Sequence, residues 1–252
     1  MTGLSRMLSI LDLFGEASPL LTVDDIITRC NYSRPTGYRY VRELVSAGLL
    51  VRADGGYALG PRIIELDWLI RRHDPVLTRS REAVRALARR AACTVSQMGL
   101  YADRIVTIHL EQGPEPLVVG FDRGRPMPLF RGAPSRAITA FLPRPRLARL
   151  FDRHRDELTS AQRERGFDHF HDELQASRKA GYVISRGELD PGKVGIAAPV
   201  FRHDRTVAGS LCLVMTEARY ETANAEALVQ RLLDATAAIT AVLRSGRPAD
   251  LV

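Results

Sequence analysis

Residues 33–42 read Ser33-Arg34-Pro35-Thr36-Gly37-Tyr38-Arg39-Tyr40-Val41-Arg42, and the interpretation of the N-terminal quarter of the chain turns on them. Ser33 suits a helix N-cap, and Pro35 suits the first turn, where a missing N–H costs nothing. Tyr38, Val41, Leu44 and Val45 follow at helical spacing and form an inward stripe that Ala47-Gly48 closes. Arg34, Arg39 and Arg42 stand in this stretch with no acid before Glu43, and Ser33, Thr36, Tyr38 and Tyr40 add hydroxyls. Guanidinium and hydroxyl groups on one short helix are chemistry suited to phosphates and base edges.

Working outward, Leu4, Met7, Leu8, Ile10, Leu11 and Phe14 recur at three- and four-residue spacing, which predicts an amphipathic helix ended by Gly15 and Pro19. Thr22 and Asp25 resemble an N-cap with an acid in the first turn, and Val23, Ile26 and Ile27 give a short second helix that stops near Cys30-Asn31. Beyond the third helix, Leu49-Leu50-Val51 and Tyr57-Ala58-Leu59 flank Asp54-Gly55-Gly56, a hairpin signal because glycine accepts positive φ. Helix, helix, turn, helix and hairpin make residues 1–60 a winged helix-turn-helix. In such a motif the second helix of the pair enters the major groove. Arg39 is then the first candidate for a base contact, with Thr36 and Arg34 next. Ser33, Tyr38 and Arg42 complete the helix surface, while Arg52 on the wing and Arg6 on the first helix suit phosphates.

Pro61 opens a linker helix over residues 61–74, around which Ile63, Ile64, Leu66, Trp68, Leu69 and Ile70 wrap so widely that a partner surface is expected. Asp74-Pro75 breaks it, and Val76 to Ala92 reads as an amphipathic helix with a basic outer face of Arg79, Arg81, Arg85, Arg89 and Arg90. From Thr94 the period becomes two. Strands are expected at Thr94–Tyr101, Ile105–Glu111, Leu117–Phe121, Tyr182–Arg186, Gly195–Phe201 and Val207–Met215. Helices are expected at Ser135–Phe141, Arg146–Arg153, Phe170–Ala180 and from about Asn224 to Leu243. Residues 75–245 therefore read as an α+β domain with a mainly antiparallel sheet, followed by a tail at 246–252.

The chain has 252 residues, 45% hydrophobic and 26% charged, which are ordinary globular values. No apolar run approaches the roughly 18 residues of a membrane helix, and the N-terminus lacks the residue order of a secretory signal, so a cytoplasmic protein without membrane contact is expected. Cys30, Cys93 and Cys212 lie far apart without CxxC spacing, which predicts reduced thiols and no zinc knuckle. The net charge is +7, yet residues 1–62 contribute only +1 of it, so bulk charge does not mark the DNA-binding part. Enzyme chemistry has no visible residue set. His169 and His171, near Asp168, Asp172 and Glu173, are spaced i and i+2, which do not share a helix face. Cys93 and Cys212 sit in apolar surroundings, and no GxSxG, Walker-type or dinucleotide loop occurs. The expectation is a non-enzyme with no cofactor and no metal.

Several stretches resemble the IclR family of bacterial transcription regulators over nearly the whole chain. The N-terminal likeness lies in Ser33 to Val41 and in Gly48-Leu49 through Gly55-Gly56-Tyr57-Ala58-Leu59-Gly60-Pro61. The C-terminal likeness lies in Gly124 to Leu129, Gly181-Tyr182 to Glu188, Pro191-Gly192 and Ile196-Ala197-Ala198-Pro199-Val200-Phe201. The resemblance implies a GAF-like effector-binding domain, dimers or tetramers on a near-palindromic double-stranded operator, and DNA affinity changed by a small effector, commonly a carboxylate. Phe130 to Arg136, Gly195 and Ser185 depart from the residues frequent in that family, so effector identity does not carry over. Arg123, Arg125, Arg131 and Arg136 oppose a single acid, Asp122, and could pair with an anion; the plain alternative is a solvated face. Candidate effector-binding residues are Leu129, Arg131, Gly132, Ala133, Ser135, Ser185, Lys193, Gly195 and Cys212. Phe121, Met127, Leu129 and Phe130 are expected to be core more than ligand platform. A DNA-binding protein indifferent to ligands is the competing interpretation, and an enzyme with an unrecognised C-terminal site is a more distant one.

Overall fold

The structure is a computed structural model that describes residues 2–245; the expected tail at 246–252 lies outside the described residues. The chain divides after Asp74 into two compact units.

In the first unit, α1 (Gly3–Leu8) tightens into a 3-10 turn at Ser9–Leu13, so the single helix expected over 4–14 is two pieces. Helix α2 (Val23–Cys30) starts at the expected cap. Thr22 and Asp25 form a full capping box, the Asp25 carboxylate accepting from both the backbone N–H and the hydroxyl of Thr22. Asn31, left-handed at φ 53°, turns the chain into α3 (Arg34–Ser46). Ser33 stands at the N-cap position of α3, but its hydroxyl donates to Thr36 Oγ1 at 2.9 Å instead of capping a backbone N–H. Gly37 has a packing reason to interrupt an otherwise good helix: a Cβ there would overlap the side chain of Ile27, so α2 and α3 cross closely only because it is glycine. Strands β1 (Leu50–Ala53) and β2 (Gly56–Leu59) pair antiparallel around Gly55 at φ 87°, forming the wing. Ile10, Leu21, Ile26, Tyr40, Val41, Leu44 and Leu50 make the core. Helix α4 (Arg62–His73) completes the unit and buries none of its residues.

The second unit opens with α5 (Pro75–Ala91) and is built on a six-stranded sheet. Its strands are β3 (Thr94–Tyr101), β4 (Arg104–Glu111), β5 (Pro126–Met127), β6 (Val183–Arg186), β7 (Lys193–Phe201) and β8 (Val207–Thr216), ordered β5-β4-β3-β8-β7-β6 and all antiparallel. Helix α5 and the long α10 (Ala225–Ser245) cover one face, where Val84, Leu87, Leu228, Leu232 and Ile239 meet Val95, Ile196, Leu211 and Leu213. Between them, α6 (Ala133–Thr139), α7 (Arg144–Arg153) and α8 (Ser160–Ala180) cover the other face, and the short α9 (Glu217–Thr222) follows β8. Covered on both sides, β7 and β8 are apolar along most of their length rather than alternating.

Two expectations fail here. Leu117–Phe121 is not a strand: the only pairing near it is the two-residue β5, which begins five residues after Phe121. Helix α8 starts at Ser160, not near Phe170, because Thr159 and Gln162 form a second capping box; Gly166, at φ 79°, then kinks it.

Candidate DNA-reading surface and ligand cavity

Helix α3 shows solvent a surface made of Ser33, Arg34, Tyr38, Arg39 and Arg42, with Thr36 half-buried; Tyr38, expected on the inward stripe, faces out, and Tyr40, whose hydroxyl was expected to be available, is core instead. Arg39 and Arg42 share an open groove with Pro35, Tyr38, Arg52 of the wing and Tyr57, so the helix and hairpin present one basic face. Tyr57 belongs to this groove though its sequence context marked it only as a strand residue. Two arginines are pre-positioned by aromatic rings: Arg39 lies 5.4 Å from the Tyr40 centroid and Arg6 4.6 Å from that of Tyr32. Tyr32 also donates its hydroxyl proton to the Arg6 carbonyl at 2.6 Å, tying α1 to the turn before α3. Arg34 is not free of acids in space, since Asp24 of α2 approaches it at 3.6 Å; both are well exposed and the pair is weak. Helix α4 presents a different chemistry. Ile64 is 74% exposed, Trp68 57% and Ile70 49%, with Leu66 and Leu69 beside them, an apolar patch with no cover in the unit.

In the second unit a cavity of about 50 Å³ opens on the α6 side of the sheet. Strand residues Ser96, Met98, Thr107, Met127, Ser185, Gly195 and Cys212 form its floor; Val119 and Phe121 come from the segment between β4 and β5, and Glu188, Leu189 and Asp190 from the turn between β6 and β7. The strand alternation places the small polar residues: Ser96 pairs with Cys212, and Cys212 with Ala197 on the next strand. Burial pushes the Cys212 thiol up to about 12, so it stays protonated and is no nucleophile at neutral pH. Burial likewise raises the Cys93 thiol. Of the expected effector residues, Ser185, Lys193, Gly195 and Cys212 line this cavity. Leu129, Gly132, Ala133 and Ser135 are buried beside it and Arg131 is exposed; none of the five is in the lining. Leu129 and Phe130 are core, as expected; Met127 is in both the core and the cavity wall, and Phe121, in the wall, packs against the core partly buried.

Charge in the wall comes from Glu188, Asp190 and Lys193. Lys193 Nζ lies 3.1 Å from Asp190, and the Glu188 carboxylate lies 2.6 Å from Arg136 and accepts the Gly132 N–H at 2.8 Å. Ser185 Oγ accepts the Ala133 N–H at 2.8 Å. The acids were missed because sequence counting followed the arginines of 123–136. Arg125 instead donates to the Gly120 carbonyl and stacks 5.6 Å from the Phe121 centroid. Among the described residues no group of three His, Cys, Asp or Glu can hold a metal ion, and His169 and His171 pair separately, with Glu173 at 3.1 Å and Gln175 at 3.1 Å. No helix among the described residues is long and apolar enough to cross a membrane.

Residues 70–241 match the family model of the bacterial transcriptional regulator IclR C-terminal domain, and residues 3–54 match the IclR helix-turn-helix domain. The chain is 26% identical to the HTH-type transcriptional regulator KipR of Bacillus subtilis over 238 residues, 93% of this chain and 94% of that one. Among solved structures it is similar to an IclR family transcriptional regulator from Brucella abortus, with TM-score 0.80, 20% identity and coverage of 96% of this chain and 92% of that one. It is also similar to an IclR homolog from Microbacterium hydrocarbonoxydans complexed with 4-hydroxybenzoate, with TM-score 0.71, 20% identity and coverage of 97% and 100%.

Proposed function

Because the chain belongs to the IclR family and is a DNA-binding transcriptional regulator, we propose that it acts as a ligand-responsive one, reading a near-palindromic operator through α3 and sensing a small anionic metabolite in the sheet cavity. The observation that carries the sensing half is the cavity itself: an apolar wall of Met98, Val119, Phe121 and Val214 with a few polar groups and one cation, Lys193, is the composition of a small-molecule site. A second copy of this chain covers the apolar face of α4, which places two α3 helices on two half-sites. Binding in the cavity then favours one arrangement of the two reading heads over another. Four-hydroxybenzoate, held by the Microbacterium relative, is a carboxylate and belongs in any ligand trial.

The test is fluorescence anisotropy of the full chain on DNA from upstream of its own gene, across a salt series, with and without carboxylates including 4-hydroxybenzoate. Selective binding shifted by one compound supports the proposal. Selective binding indifferent to every compound favours the ligand-independent interpretation.

Two substitutions separate the halves. Arg39→Ala is expected to cost about 1–3 kcal/mol of operator affinity and to relax sequence preference at one position, since a guanidinium on a base edge carries that much discrimination. Equal loss on all sequences would make Arg39 a phosphate contact. Lys193→Ala is expected to leave operator affinity nearly unchanged and to weaken the carboxylate response about tenfold, a typical loss for one charge-assisted contact. A normal response in that variant would remove Lys193 from the site.

A further inference from the structure

Asp190 holds two parts of the cavity wall together. Its Oδ2 accepts the Gly120 N–H at 2.9 Å and lies 3.1 Å from Lys193 Nζ, with both side chains about one-fifth exposed. Gly120 sits between Val119 and Phe121, the two residues by which the segment from 112 to 125 covers the cavity. No ladder holds residues 118–121, and Val118 is 87% exposed. The fit at Gly120 is close, because a Cβ there would overlap Asp190 Oδ1. The cavity, about 50 Å³, takes a few waters at roughly 10–15 Å³ each and nothing as large as an aromatic acid, so a ring-sized ligand enters only if the wall moves.

We propose that Asp190 is a built-in stand-in for the ligand's anionic group and the latch of the cavity. Resting on the proposed anion-sensing role, a ligand anion that reaches Lys193 releases Asp190, and Asp190 releases Gly120. Occupying the cation and releasing the Gly120 N–H are then one event, with the Gly120 carbonyl still held by Arg125. Asp190 is thereby a specificity-determining residue, because an uncharged ligand gains nothing at Lys193 to offset its loss of Asp190. Leu189, packed where a Cβ on Gly132 would overlap it, and Glu188, held by Arg136 and Gly132, keep the rest of the turn in place while Asp190 swings.

The experiment is hydrogen exchange at the amide of residue 120 in the full-length protein, with trypsin cleavage after Arg123 as a second reading of the same segment. Two variants are used: Asp190→Asn, which removes the charge, and Gly120→Ala, whose methyl displaces the carboxylate while keeping its charge. Without ligand, both are expected to exchange about tenfold faster at residue 120, the scale of one charge-assisted hydrogen bond. Acetate, benzoate and succinate are then added, with benzamide as the uncharged control. At least one of the acids is expected to speed exchange in the unaltered protein, benzamide not, and Asp190→Asn to bind that acid severalfold more tightly. Unchanged exchange in both variants overturns the latch. Fast exchange in both variants with no acid bound by any form keeps the latch and overturns the anion-sensing role instead.

Discussion

A protein carrying both Ile64→Glu and Trp68→Glu is expected to sediment as a monomer and to lose operator affinity by about a hundredfold or more. The magnitude follows from bivalency. Two linked reading heads on adjacent half-sites bind more tightly than one by a factor of roughly 10² to 10⁴ without any new contact, and that factor disappears when the heads part. Ile64 and Trp68 are largely exposed within their own unit, and α4 buries none of its residues there, so neither substitution removes a contact that folds the helix-turn-helix. Placed in an interface, two carboxylates in apolar surroundings cost far more than the apolar contacts they replace. Sedimentation velocity and anisotropy on whole and half operators check this. The variant should bind whole and half operators alike; a dimer with unaltered affinity would assign the α4 face another role.

Phe130→Ala is expected to be the most destabilising truncation in the second unit, by about 3–5 kcal/mol. The ring is 1% exposed and meets Phe170 edge-on at 5.4 Å and Phe151 at 5.9 Å; Phe151 in turn meets Phe167 at 5.6 Å. These rings join α7 and α8 to the segment that leads into α6. Their loss combines a cavity with two broken edge-to-face pairs worth about 0.5–1.5 kcal/mol each beyond burial. For a unit of this size the thermal midpoint should fall by roughly 10 °C. Calorimetry measures it directly, and a drop of only one or two degrees would show that neighbouring side chains collapse into the space.

How far the sequence disclosed this molecule depends on where its physics is local. Helix α2 was legible because Thr22 and Asp25 are three residues apart, and β3, β4 and β8 because apolar runs and their bounding turns mark strands directly. The beginning of α8 was not, although Thr159 and Gln162 carry the same capping chemistry: Arg163, Glu164 and Arg165 give no apolar stripe behind it. Leu117 to Phe121 reads as a strand because Leu, Val, Val and Phe favour one. In the structure Val119 and Phe121 spend their apolar surface on the cavity, and Leu117 N–H goes to the Gln112 side chain instead of a ladder.

The exposed basic face of α3 and the wing was legible because its residues lie within one helix and one hairpin. The cavity was half legible. Lys193, Gly195 and Ser185 lie on neighbouring strands in the segment of family resemblance, and Cys212 is fixed by register. Ser96 and Thr107 are brought in by strand pairing over long separations, which no local pattern records, whereas Asp190 sits only three residues before Lys193 in the turn between β6 and β7. Arginine counting pointed to residues 123–136, yet those side chains mostly serve other ends, Arg136 on Glu188 and Arg125 on the Gly120 carbonyl.

The close crossing at Gly37 has an evolutionary consequence. Along α3 the positions that hold the scaffold, Gly37, Tyr40, Val41 and Leu44, are interleaved with positions that face outward, Arg34, Arg39 and Arg42, and the two sets do not overlap. A lineage can therefore change the outward letters alone, each step leaving the protein folded and abundant. The glycine confines that exploration to one packing of α3 on α2, so descendants of such a chain inherit the frame and vary only what it displays.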